Sequence, residues 1–187
     1  MTPEFLQALH FAKLGRTSVD LLVLHVMEVP CVSGMARRVA QGFARGDRVA
    51  SCHYCVDPSN VIQCGREDDE AFHCRSDATG EINRVSIGIE HAGYSEGPSA
   101  TDWQDEHAAG MFDLSAELAA DICRRWQIPI VHLTPDQLLS GQRGIIGHVD
   151  ATEVYQVQGG HQDPGKTWPW DNWLSLVLAR VPPASNL

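Results

Sequence analysis

Three residues far apart in the chain carry groups that bind metal ions. His25 interrupts the apolar run "LLVLHVMEV", His148 follows "GIIG", and Asp163 sits in "HQDPG". Two imidazoles and one carboxylate are the ligand set of a catalytic zinc that keeps its fourth position for water. Such an ion lowers the pKa of that water toward ~7 and polarises a carbonyl. Glu90, at the end of "VSIGIE", is placed to accept the water's proton as general base. His161, two residues before Asp163, falls on the same side of an extended loop and could steady a developing oxyanion as an N–H donor. Spacing alone leaves a second reading open. A histidine in an apolar strand is also an ordinary hydrogen-bonded core residue, and "DPG" is a common turn.

These groups need rigid elements to bring them together. The spacing of Phe5, Leu6, Leu9 and Leu14 predicts a helix over about 3–14. "SVDLLVLHVMEV" is continuously apolar and predicts a central strand ending near His25. "SGMARRVAQGFARGD" predicts a helix capped by Ser33 and stopped at Gly46. Two strands are expected at about 48–56 and 60–65, turning at "DPSN". "EINRVSIGIEHAG" predicts another buried strand, with His91 on the face opposite Glu90. "DLSAELAADICRRWQI" predicts a helix with Asp113 near its start, "GIIGHVD" a short strand, and "WDNWLSLVLARV" a last helix. Strands and helices interleave, so the fold class is α/β, a mixed central β-sheet flanked by helices. One domain over 1–180 is expected, with "VPPASNL" (181–187) beginning a linker to a further module.

Composition removes several classes of function. The chain has 187 residues and a formal charge of -10. Phosphate recognition needs clustered Lys and Arg, so nucleic acid is not the expected partner. No apolar run approaches the roughly 20 residues that span a bilayer, so membrane insertion is not expected either. The N-terminus "MTPEFLQALHFAKLG" lacks a charged-then-apolar secretion pattern, so synthesis in the cytoplasm without a signal peptide is expected. Six cysteines include "CHYC" at 52–55, then Cys64 and Cys74. That spacing does not pair two CxxC turns as structural zinc ribbons do, and a strand over it would point Cys52 and Cys55 to opposite faces. Buried free thiols are the expected state.

The order of "LVLHVME", "ASCHYCVD", "AFHC", "RVSIGIEHAG", "RGIIGHVDAT" and "HQDPGKTWPW" resembles the zinc-dependent N-acetylmuramoyl-L-alanine amidases, the group that includes phage lysozyme-type amidases and peptidoglycan recognition proteins. The likeness runs from about residue 20 to 178, and it is similar in flavour to amidase modules of phage endolysins. It implies that fold, and it implies one zinc ion held by His25, His148 and Asp163, the last a cysteine in some relatives. Glu90 falls where the family carries a catalytic glutamate or tyrosine. His161 falls where many members have Lys or Arg, and histidine loses its charge near neutral pH while those do not. "HVM" also departs from the His-Asn or His-His followed by Thr of many members. His53 and His73 match "SaHy" and "WHAG" patterns, which makes them and Trp168 candidate groove residues, with a structural hydrogen-bonding role equally open for each histidine and packing of the last helix the preferred role for Trp168. Asp150 is a candidate acceptor for a ligand histidine N–H or a loop cap. His10, His107 and His132 receive no role.

The resemblance therefore implies hydrolysis of the amide between N-acetylmuramic acid and L-alanine in peptidoglycan, by a monomer acting on the cell wall after release, as in host lysis. A rival of a different class is a peptidoglycan-binding module of the same fold that does not cleave; such members lack a zinc ligand, and here all three positions are filled. A thiol hydrolase is a third reading, but no cysteine sits at a helix start beside a glycine-rich turn.

Overall fold

The computed structural model describes residues 2–74, 81–96, 100–155 and 160–181. The expected linker start at 182–187 lies outside them.

Among the described residues, eight strands and six helices follow in chain order. They are β1 (Glu4–Phe5), β2 (Phe11–Ala12), β3 (Leu21–Val26), α1 (Met35–Arg45), β4 (Tyr54–Val56), β5 (Val61–Gln63) and β6 (Glu70–Ala71). Then come α2 (Glu81–Val85), β7 (Ser86–His91), α3 (Glu106–Trp126), α4 (Pro135–Leu139), β8 (Gly144–Gly147), α5 (His148–Tyr155) and α6 (Trp170–Leu178). Six strands form one mixed sheet in the order β1-β5-β4-β7-β3-β8, in which only β4 and β5 run antiparallel. The pair β2–β6 stands apart.

Alternation along β3 divides the core into two layers. Leu22, Leu24 and Val26, with Ile87 and Ile89 of β7, pack under α3 and α6 against Met111, Phe112, Ile122 and Trp173. Leu21 and Val23 face the other way, with Ile146, Ile82 and Ala151. His25 continues this second row. β3 and β7 pair with His25 opposite Glu90, so the two side chains leave the same face of the sheet.

The backbone of His25 is also held from the helical side. His91 Nδ1 lies 3.0 Å from the His25 carbonyl oxygen, which can only accept, so Nδ1 carries the proton. Its other nitrogen faces Ser115 Oγ at 2.6 Å, and the Trp173 indole N–H donates to the same hydroxyl at 3.1 Å. The expectation that His91 points away from Glu90 therefore agrees with the structure. Burial pushes the His91 imidazole down to about 4, so it is neutral at physiological pH.

Several expected elements differ. Residues 3–14 are extended, not helical: β1 pairs in parallel with β5, with Phe5 opposite Gln63, and Phe5 is exposed. The edge of the sheet offers backbone partners that outweigh a weak helical pattern. α1 ends at Gly46 as expected, but its N-cap is Gly34 rather than Ser33. Buried Asp57 takes over the capping, accepting from the Gly34 N–H at 2.8 Å and the Ala36 N–H at 3.0 Å. α3 begins at Glu106, capped by Asp105, well before Asp113. The chain after β8 turns directly into α5 instead of staying a loop.

Ser115→Ala removes the hydroxyl shared by His91 and Trp173 and leaves two buried polar atoms unpaired. The expected loss is about 1–3 kcal/mol of unfolding free energy, measured by urea denaturation.

Candidate metal centre and groove

Each residue of the proposed ligand set sits at the end of a rigid element. His25 is the penultimate residue of β3, His148 the first of α5 just past β8, and Asp163 lies in the return segment after α5. β8 pairs with β3 so that Gly147 lies opposite Leu24, which brings His148 beside His25. All three are buried, and one potential ligand atom from each lies within 4.8 Å of the others. The His25 and His148 rings meet edge to face, with centroids 4.7 Å apart.

Asp163 is delivered by close backbone approach. Its carbonyl accepts from the Val149 N–H at 2.9 Å, tying the return segment to the first turn of α5. A Cβ on Gly147 would lie 2.5 Å from Pro164 Cδ, so the proline ring fits only against a glycine there. Gly165 has φ +88, and a Cβ on it would lie 2.3 Å from the Ser95 carbonyl oxygen. Ser95 is itself held by Glu28, whose Oε1 accepts from the Ser95 N–H at 3.0 Å. Pro164 and Gly165 thus follow a carboxylate that points inward, toward His25 and His148.

The carboxylate is crowded by imidazoles. Asp163 Oδ2 lies 3.1 Å from His25 Nδ1 and accepts from the Val26 N–H at 3.3 Å. Oδ1 lies 3.4 Å from His148 Nδ1 and 3.5 Å from His161 Nδ1. Burial alone would raise its pKa, but His148, His161 and His25 outweigh burial and hold the carboxyl well below the ordinary range. Burial pushes the His148 imidazole down to about 4, against the opposing pull of Asp163. Its Nδ1 is buried without a hydrogen-bond partner. A charged carboxylate beside a neutral imidazole with an unsatisfied lone pair is the donor set a divalent transition metal requires, and zinc suits it.

Glu90 and His161 flank the same point. Burial pushes the Glu90 carboxyl up to about 7, and its Oε2 is buried without a hydrogen-bond partner. His161 is exposed and stacks on the His148 ring, with centroids 4.3 Å apart and planes 10° from parallel. Contact with Asp163 raises the His161 pKa. A groove of about 890 Å³ opens from this cluster and runs past Met27, Arg38, Val39, Arg48 and Phe72.

The remaining expectations divide. His73 reaches the groove, but His53, a candidate there, does not; nor does Trp168, in keeping with the packing role preferred for it. His53 is fully buried, accepting from the Gly88 N–H at 3.0 Å and facing the Asp69 carbonyl at 3.2 Å. Trp168 is 3% exposed and packs edge to face against Phe112 and His91 on the far side of the sheet. Asp150 serves neither ligand histidine. Its Oδ2 accepts from the Gly147 N–H at 2.7 Å and faces His132 Nε2 at 2.9 Å. His132, given no role, stacks on Trp170 at 3.6 Å between centroids. All six cysteines are free. Five are buried and Cys31 is half-buried; among the described residues, His25, His148 and Asp163 form the only cluster suited to a metal. Ser86, in contact with His73, was not singled out; its sole signal is a polar residue opening a buried strand.

The chain is similar to known proteins in sequence and in fold. The chain is 27% identical over 169 residues to N-acetylmuramoyl-L-alanine amidase A of Achromobacter lyticus, covering 83% of this chain and 81% of that protein. Its fold is similar to the crystal structure of Staphylococcus aureus hydrolase AmiA in complex with its ligand, at a TM-score of 0.69 and 15% identity over 98% of this chain and 88% of that one. A mutant endolysin from Bacillus subtilis has the same fold, at a TM-score of 0.60 and 17% identity over 95% and 99% of the two chains. Among the described residues no helix is long and apolar enough to cross a membrane. The family pattern of the N-acetylmuramoyl-L-alanine amidases matches residues 15–166, and the chain belongs to that family.

Proposed function

We propose that this amidase is zinc-dependent, that His25, His148 and Asp163 hold the ion, and that Glu90 and His161 carry the proton and charge transfers of amide hydrolysis. The observation that supports this most is the convergence of three buried donors within 4.8 Å, beside a glutamate in register with the first of them. A zinc ion held there would act as a Lewis acid on the scissile carbonyl and would ease deprotonation of water at neutral pH.

The chain's own groups divide the remaining work. Glu90, unpaired and in a low-dielectric position, takes the proton of the attacking water and returns it to the departing L-alanine nitrogen. A carboxyl raised by burial suits both directions of that transfer. Protonated His161, favoured by the Asp163 carboxylate beside its Nδ1–H, has its Nε2–H free to donate to the developing oxyanion. Its stacking on His148 fixes the plane of that donor. The groove beyond the cluster accommodates the stem peptide, with Arg38 and Arg48 along its wall. The wider role we assign is degradation of the cell wall in lysis. The likeness of the fold to an endolysin supports that assignment.

Digestion of purified peptidoglycan should release stem peptides with new L-alanine amino termini, detected by mass spectrometry. A chelator should abolish this release and added zinc should restore it. Binding of muropeptides without new amino termini, in zinc-loaded protein, would favour a non-catalytic module instead.

Two substitutions separate the roles. Glu90→Gln should retain one zinc per chain while kcat falls by about 10²–10⁴. His161→Ala should also retain zinc and lose about 10²–10³ in kcat. Metal content by atomic spectroscopy, read beside turnover, checks both.

A further inference from the structure

His25 has two ring nitrogens, and only Nδ1 faces Asp163. Nε2 lies 2.9 Å from His73 Nδ1. His73 Nε2 in turn lies 3.1 Å from Ser86 Oγ, and that hydroxyl stands 2.6 Å from the Ile82 carbonyl oxygen. Three side chains and one carbonyl thus form a single line of hydrogen bonds ending at the metal centre.

Proton positions along this line follow from the donor capacity of its members. The Ile82 carbonyl can only accept, so the single Ser86 hydroxyl proton points to it. Ser86 can then only accept at its other contact, which requires a proton on His73 Nε2. With one proton on a neutral ring, His73 Nδ1 is bare and accepts from His25 Nε2–H. His25 is left with a bare Nδ1 3.1 Å from Asp163 Oδ2, two lone pairs that a bound cation would satisfy together. The reverse filling would set the Ser86 and Ile82 oxygens 2.6 Å apart with no proton between them, two facing acceptors in a buried place.

The surroundings are built for this line. A Cβ on Gly88 would lie 2.7 Å from His73 Nδ1, so the ring lies directly on the β7 backbone where only glycine leaves room. Ser86 is fully buried at the start of the same strand and donates back over one turn to α2.

We propose that Ser86 and His73 are positioning residues that lock His25 in the tautomer protonated at Nε2, presenting Nδ1 as a ready lone pair for the metal. This rests on the zinc reading above and extends it to two residues outside the proposed ligand set, Ser86 fully buried and His73 in contact with His25 at the groove wall. A hydrogen-bonded outer partner fixes the orientation of a ligand histidine and raises its basicity, and losing one typically costs about 10–100-fold in metal affinity.

Long-range proton–nitrogen correlation on histidine-labelled, zinc-loaded protein reads the tautomers directly. His73 and His25 should both carry their proton on Nε2, and a His73 protonated on Nδ1 would overturn the inference without any substitution. Zinc affinity, from competition with a chelator, supplies the second readout. Ser86→Ala and His73→Leu should weaken zinc by about 10–100-fold. His73→Asn, whose Oδ1 can stand in for Nδ1 as acceptor, should bind zinc more tightly than His73→Leu. Urea midpoints identify any variant that fails to fold. Unchanged zinc affinity in folded His73→Leu would overturn the positioning role, whereas no zinc affinity in the unsubstituted protein would overturn the metal reading itself.

Discussion

A charged carboxylate buried among imidazoles is the demand that the rest of this protein meets. Asp163 is 6% exposed, and its pKa lies well below the ordinary range. Removing such a charge from water costs several kcal/mol unless opposite charge and hydrogen bonds replace the lost hydration. Here the Val26 N–H and three histidine nitrogens surround it. A cation among them would satisfy the carboxylate and the unpaired His148 nitrogen together. Two glycines without room for a Cβ, Gly147 and Gly165, let the backbone carry Asp163 into that position.

The sheet supplies the other half of the constraint. Parallel pairing of β3 with β7 sets His25 beside Glu90, and pairing with β8 sets His148 beside His25. A slip of one residue in either pairing would turn these groups to the α3 face, where Phe112, Met111 and Trp173 pack. Register is therefore held by the same apolar burial that stabilises the domain. The site's geometry follows from core packing on one face and polar positioning on the other.

Much of this arrangement was legible in the chain. The apolar run through His25, the "GIIG" before His148 and the helix from Trp170 all became the elements their patterns predict. The first dozen residues did not, because β5 offered an edge whose backbone groups needed partners. The α1 cap also escaped, since Asp57 reaches it from 23 residues beyond Gly34. His53 looked like a groove residue by its place in a motif, yet burial assigns it to the core, whereas Trp168 packs there as preferred. A motif reports which residues recur, and it does not report which side of a strand they face.

Residue chemistry and order by themselves determined the metal-capable set, the apolar runs that make β3 and β7 buried strands, and the family resemblance. Those properties are local, because side-chain chemistry and a short apolar run can be read without knowledge of neighbours. Tertiary structure alone decided that His73 and Ser86 stand in line behind His25, that His91 and Ser115 grip its backbone from the other side, and that Asp150 serves His132. Each is a contact between segments distant in the chain, with a direction fixed by which atom can donate. Such contacts exist only after the sheet has chosen its register.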